Sequence, residues 1–131
     1  MIYMFDTDTV SFFMKDNPKN VRIKTAKHEK DDFCISVITY AELMFGLKRN
    51  YSKQLDFWLH EVLKKFKVIA FDDTSAVIYG DIRTKLEKSG NPLDNMDLLI
   101  AASAISTGAV LVSQNTKHFS KIKELKTENW C

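Results

Sequence analysis

Glycine is scarce in this chain: four among 131 residues (Gly46, Gly80, Gly90 and Gly108), each isolated. Neither a phosphate-cradling P-loop nor a G-x-G-x-x-G dinucleotide fingerprint can be assembled from them. The two cysteines, Cys34 in an apolar run and Cys131 at the last position, make no C-x-x-C and no zinc-type spacing. A buried thiol and a terminal one is the plain reading. His28, His60 and His118 are scattered without an HxxxH pair, which argues against zinc. No G-x-S-x-G elbow occurs. Apolar runs are short, so no bilayer-spanning segment is predicted. Met1 to Phe5 runs straight into Asp6 without a basic n-region or cleavage site, so a cytosolic protein without a signal peptide is expected.

Charge of one sign is also missing in excess. Nineteen Lys and Arg against seventeen Asp and Glu leave a net charge of +2, too little to argue for a polyanionic partner globally. Basic residues do crowd at Lys19 to Lys30, at Lys64, Lys65 and Lys67, and at Lys117 to Lys126, although a solvated face explains each run taken alone. With 45% hydrophobic and 27% charged residues, the chain has the composition of an ordinary globular protein. Its length suits one domain over residues 1–131.

Periodicity predicts alternating short strands and helices. Ile2 to Phe5, Phe33 to Ser36, Val68 to Phe71 and Ala109 to Val112 read as strands, with Thr127 to Trp130 as a fifth at an edge. Asp8 or Thr9 is expected to cap a helix carrying Val10, Phe12, Phe13 and Met14. Pro18 fits the first turn of a second helix through Lys27. Further helices are expected over Ile38 to Leu47, Ser52 to Phe66 and Thr74 to Lys88, the last stopped by Gly90-Asn91-Pro92. Asp94 to Thr107 is apolar nearly all round after its first turn, as a central helix would be. The alternation predicts an α/β fold: a short parallel sheet of four or five strands with helices on both faces. In such folds, sites form beyond the carboxyl ends of the strands.

The acids fall at those ends. Asp6 and Asp8 follow strand one, Glu42 lies in the helix after strand two, Asp94 and Asp97 open the central helix, and Asn115 follows strand four. Together they would offer the oxygen ligands that a hard cation such as Mg²⁺ prefers. Each has a local alternative. Thr39 and Glu42 have capping-box spacing, Asp94 can be an N-cap with Asp97 at the third helical position, and Asp6 can end its strand in an Asx-turn. Taken jointly, carboxylates gathered at one buried edge repel one another unless a cation neutralises them.

At this point the residues resemble a known family. The opening Ile2-Tyr3-Met4-Phe5-Asp6-Thr7-Asp8-Thr9 is similar to that of PIN-domain ribonucleases. So are Ile35 to Gly46 (ISVITYAELMFG), Pro92 to Ala102 (PLDNMDLLIAA), and Leu111 to Phe119 (LVSQNTKHF) with the closing Glu128-Asn129-Trp130. The likeness is nearest to the VapC toxins of toxin–antitoxin pairs. It implies a PIN-like three-layer fold and a metal-dependent endoribonuclease, with Asp6, Glu42 and Asp97 as the catalytic acids holding Mg²⁺, or Mn²⁺ in its place. Asp94 is then a candidate extra ligand, and Asp8, Thr7, Ser36 and Asn115 are supporting residues; Asn115 stands where the family often has an acid. The resemblance also implies RNA as substrate (tRNA first among candidates), 5′-phosphate and 3′-hydroxyl products, a VapB-type antitoxin whose tail covers the site, and a homodimer. Tyr40, Met44, Phe45, Phe57 and Trp58 are candidates for the dimer surface. Two rival readings are a PIN-fold interaction module that cleaves nothing and a receiver-like phospho-acceptor domain with Asp72-Asp73 as its acceptor. The latter lacks the lysine expected after its last strand.

Overall fold

A computed structural model describes residues 1–131. Five parallel strands, β1 (Tyr3–Phe5), β2 (Phe33–Ser36), β3 (Lys67–Ile69), β4 (Val110–Val112) and β5 (Thr127–Glu128), form one sheet in the order β3-β2-β1-β4-β5. The strands are linked by helices α1 (Thr7–Lys15), α2 (Asn20–Thr25), α3 (Val37–Arg49), α4 (Lys53–Leu63), α5 (Asp73–Lys88), α6 (Asn95–Thr107) and α7 (Thr116–Phe119). β1 is central, pairing with β2 on one side (Met4 opposite Cys34) and with β4 on the other (Met4 opposite Leu111). The chain winds outward from β1 to β3, crosses back, and winds outward again from β4 to β5. The space beyond β1 and β4 is therefore the switch point of the sheet.

Side-chain alternation along the strands builds two cores. Tyr3, Phe5, Phe33, Ile35, Val110 and Val112 face helices α1 to α4, joined by Phe13, Leu43, Leu59 and Trp130. Met4, Cys34 and Leu111 face α5, α6 and α7, packed with Ile82, Leu98, Ala101 and Phe119. Residues on α6 are buried almost all round, in keeping with its uniformly apolar sequence. Gly108, at φ +72°, ends α6 and turns the chain into β4, a conformation that a side chain would disfavour.

The three-layer α/β architecture and parallel sheet are as expected, and several local assignments differ. Helix α1 is capped by Asp6 rather than Asp8 or Thr9, two to three residues earlier than expected. Pro18 lies before α2, after a cis Asn17–Pro18 bond, not in its first turn. β3 runs from Lys67 to Ile69, starting one residue before and ending two residues before the expected bounds, and is largely exposed at the sheet edge. α7 was not expected; its four residues are too few for a periodic pattern. No helix is long and apolar enough to cross a membrane.

Candidate active site

Asp6 follows the last residue of β1 and is only 6% exposed. Its backbone N–H donates to Val112 O at 3.2 Å, so the ladder between β1 and β4 fixes where its side chain starts. Oδ1 then accepts the backbone N–H of Thr9 at 2.9 Å, capping α1, and lies 2.6 Å from the Thr9 hydroxyl. That hydroxyl is also 2.9 Å from Val112 O, so its single proton chooses between the two. Burial raises the Asp6 pKa above the usual carboxylate value. Hydrogen bonds from Ser113 and Thr9 work against that rise, and the charge of Asp8 adds to it. Asp8 itself is exposed in the first turn of α1.

Glu42 comes from α3, which starts where β2 ends. Ser36, fully buried, caps that helix by accepting from the N–H groups of Ile38 and Thr39 at 2.9 and 3.3 Å. The Thr39–Glu42 capping box is thus not formed. Thr39 lies inside the helix, and Glu42 projects from its second turn. There its Oε1 accepts the hydroxyl proton of Thr7 at 2.6 Å, a contact between residues 35 apart in sequence. A charge-assisted bond of this length ties α3 to the first residue of α1.

Asp94 caps α6, its Oδ2 accepting from Met96 N at 3.1 Å and Asp97 N at 3.4 Å, and Asp97 is the third helical residue, as the spacing suggested. The Asp97 side chain is about a third exposed. Its pKa is raised, first by burial and next by the charge of Asp94. His118 opposes the rise, while Asp6 and Glu42 add to it. Three carboxylates, Asp94, Asp6 and Glu42, therefore act on Asp97 from three elements. Asn115 precedes α7 and is exposed. Its N–H donates to Ser113 Oγ at 3.0 Å, and its carbonyl accepts from His118 and Phe119 N–H groups; the side chain makes no capping bond.

The cluster is open: no three His, Cys, Asp or Glu side chains are arranged to hold a metal ion directly. Its donor set is all oxygen, however, and Mg²⁺ typically binds through one or two carboxylates while keeping several waters. Mutual repulsion at Asp97 is the cost that a divalent cation would relieve. In chemistry and charge the residues fit such an ion.

Two residues at this edge escaped sequence reading. Thr9 braces Asp6 from within the helix that Asp6 caps. His118, on α7, places Nε2 3.5 Å from Asp97 Oδ2. A lone histidine in a lysine-rich run gave no signal; only the short helix that the sequence hid brings it to the acids. A concavity of about 1260 Å³ lies elsewhere. It is lined by the C-terminal end of α1, by Arg22 and Lys30, and by Trp58, Lys64 and Lys65, so two of the basic runs converge there, away from the carboxylates. Among the candidate dimer residues, Tyr40 and Met44 are half-buried against the core, whereas Phe45, Phe57 and Trp58 are exposed.

The receiver-like reading fails on topology. A flavodoxin-like sheet has the order 2-1-3-4-5, with the third strand in the middle. Here β3 is at the edge, which leaves Asp72 capping α5 there.

A doubly wound sheet with acids at its switch point defines an α/β domain of the PIN class, and the PIN domain family model matches residues 3–125. The tRNA(fMet)-specific endonuclease VapC of Salmonella typhimurium is 31% identical over 130 residues, spanning 98% of each chain. Ribonuclease VapC2 of Rickettsia felis is 36% identical over 132 residues, spanning 99% of this chain and 98% of the relative. The crystal structure of VapBC2 from Rickettsia felis, bound to a DNA fragment from the promoter, superposes with a TM-score of 0.93 at 34% identity over 100% of both chains. This chain belongs to the PIN-domain family, among its VapC ribonucleases.

Proposed function

We propose that this chain, as a single domain, is the toxin of a VapBC-type pair and cuts RNA in the cytoplasm with a divalent metal ion, Mg²⁺ or Mn²⁺, held at Asp6, Glu42 and Asp97. The observation that carries the reading is the placing of three carboxylates by three elements: Asp6 pinned by the Thr9 N–H at 2.9 Å, Glu42 by the Thr7 hydroxyl at 2.6 Å, and Asp97 in the first turn of α6, where burial first and the charge of Asp94 next raise its pKa. Three chain segments deliver negative charge to one sheet edge, a net cost to folding unless a cation is bound there.

When bound, such an ion would supply Lewis acidity, lowering the pKa of water so that hydroxide is available at neutral pH and offsetting charge on the phosphate. The chain's own residues supply the rest. Asp6 is held by β1 and by Thr9, which engages Oδ1 through its N–H and hydroxyl. Thr7 fixes Glu42 by donating to Oε1 at 2.6 Å. Asp97 brings a carboxylate from the first turn of α6, and Asp94 adds negative charge from the cap. Asp8, Ser36 and Asn115 act in support, Ser36 by starting α3 at the point that puts Glu42 in range.

The Salmonella relative is named for tRNA(fMet), so tRNA is the first substrate class to try. The Rickettsia structure is of a VapBC assembly, which supports a VapB-type antitoxin as partner, its tail lying over the acids. A second copy of the chain is the other expected partner, with exposed Phe45, Phe57 and Trp58 available to meet it. The test is sequencing of RNA ends after brief induction of the wild type and of Asp6→Asn. New ends at discrete sites in the wild type alone support the reading. Identical end profiles point instead to a fold kept for interaction only, which the open acid cluster would also suit.

A further inference from the structure

We infer that His118 is a positioning residue for Asp97: its Nε2, 3.5 Å from Oδ2, holds that carboxylate in the orientation in which it receives the metal ion. The inference rests on the metal-dependent reading given above and adds a residue to it.

Asp97 needs such a partner. Its own helix gives it none: the Asp94 carboxylate accepts the nearby N–H groups, and Asp97 appears in no side-chain hydrogen bond of its own. Around it stand Asp94, Asp6 and Glu42, each repelling it. A free carboxylate in that field would turn outward towards solvent. His118 is the side chain that stands against it within ion-pair range, Nε2 lying 3.5 Å from Oδ2. Metal-ligating carboxylates are generally held from outside by a hydrogen-bonding group, which fixes the oxygen that remains.

His118 is itself well placed to hold. The N–H groups of His118 and Phe119 both donate to Asn115 O, at 3.0 and 3.1 Å, closing the turn on which the ring sits. The adjacent Phe119 is 1% exposed and anchors α7 in the second core with Ile122. The imidazole meets the Phe119 ring edge-on at 6.0 Å between centroids, which limits its swing. A ring on a short anchored helix is thus brought within ion-pair distance of a carboxylate on another helix. The same turn links Asn115 to the site through its backbone rather than through its side chain.

The experiment measures Mn²⁺ binding to the purified chain by the electron paramagnetic resonance of free Mn²⁺, with melting temperatures taken in parallel. His118→Leu keeps bulk but offers no N–H; His118→Gln places an amide nitrogen near the position of Nε2. Asp97→Asn serves as the control for the site itself. His118→Leu should weaken Mn²⁺ binding by roughly 10- to 100-fold without lowering the melting temperature, and His118→Gln should recover most of the loss. Binding within twofold of wild type in His118→Leu, with binding lost in Asp97→Asn, overturns the role of His118 and leaves the metal site standing. A fall in melting temperature confined to His118→Leu makes the residue structural and also overturns it. Wild-type binding in Asp97→Asn removes the metal site and this inference together.

Discussion

Replacing Asp6 by asparagine separates the two jobs of its carboxylate, capping α1 and carrying a buried charge. Asparagine keeps Oδ1 for the Thr9 N–H and is as good a cap as aspartate, so the helix start should survive. The charge is lost, and with it the penalty that burial imposes. The sign follows from linkage. Because the folded pKa is raised above 3.8, the native state binds the proton more tightly than the unfolded chain. Metal-free wild type should therefore lose stability as pH climbs from about 4 through the raised value, and stay lower above it. Asp6→Asn has no such window. It should match wild type near pH 4 and melt at or above it at pH 7 in chelator. Asp6→Ala loses the cap as well, about 1 kcal/mol. At about 2.1 cal/mol/K per residue, unfolding entropy for a chain of this length is about 0.28 kcal/mol/K, so that loss lowers Tm by about 3–4 °C relative to Asp6→Asn. Above the dissociation constant, each tenfold rise in Mn²⁺ should stabilise wild type by about 1.4 kcal/mol, or about 5 °C, and leave Asp6→Asn nearly unmoved. Scanning calorimetry at several pH values, with chelator and then with Mn²⁺, reads all of this. An Asp6→Asn protein that melts well below wild type in chelator at pH 7, or that responds equally to Mn²⁺, refutes the reasoning.

Thr7→Val removes the 2.6 Å bond to Glu42, and kcat/KM for RNA cleavage should fall roughly 10- to 100-fold while binding of an antitoxin fragment is retained. Phe119→Ala empties a fully buried site under α7 and should cost about 3–5 kcal/mol in urea denaturation. Gly108→Ala meets no neighbour within 4 Å, so only the positive φ is at stake, and a loss of about 1–2 kcal/mol is expected by the same measurement. A neutral result there would show that the turn after α6 relaxes.

Much of the placing of the candidate site was legible because PIN-type motifs sit at strand ends, and strand ends can be read from short apolar runs. Asp6 follows such a run, Asp97 lies in the first turn of a helix and Glu42 one turn into the helix after β2, and sheet topology then brings these elements to one edge. What stayed hidden depended on contacts between distant segments. Thr7 reaches Glu42 across 35 residues, and nothing in either local sequence announces the bond. The cap of α1 was misplaced because Asp6, Asp8 and Thr9 are all good capping residues. The hydrogen bond from Asp6 N–H to Val112 O is what selects among them, and it comes from a strand more than a hundred residues away. Pro18 was misread since proline's preference for a first helical turn says nothing of the cis bond found here. The exposure of β3 reflects its edge position, which follows from strand order and not from composition.

The most direct measurement is cleavage of a labelled tRNA pool by the purified chain, in Mn²⁺ and in chelator, with wild type beside Asp97→Asn. Discrete cuts that need both the metal ion and the Asp97 carboxylate are predicted. Cuts that persist in chelator, or at wild-type rate in Asp97→Asn, would contradict an acid cluster that works by holding a cation.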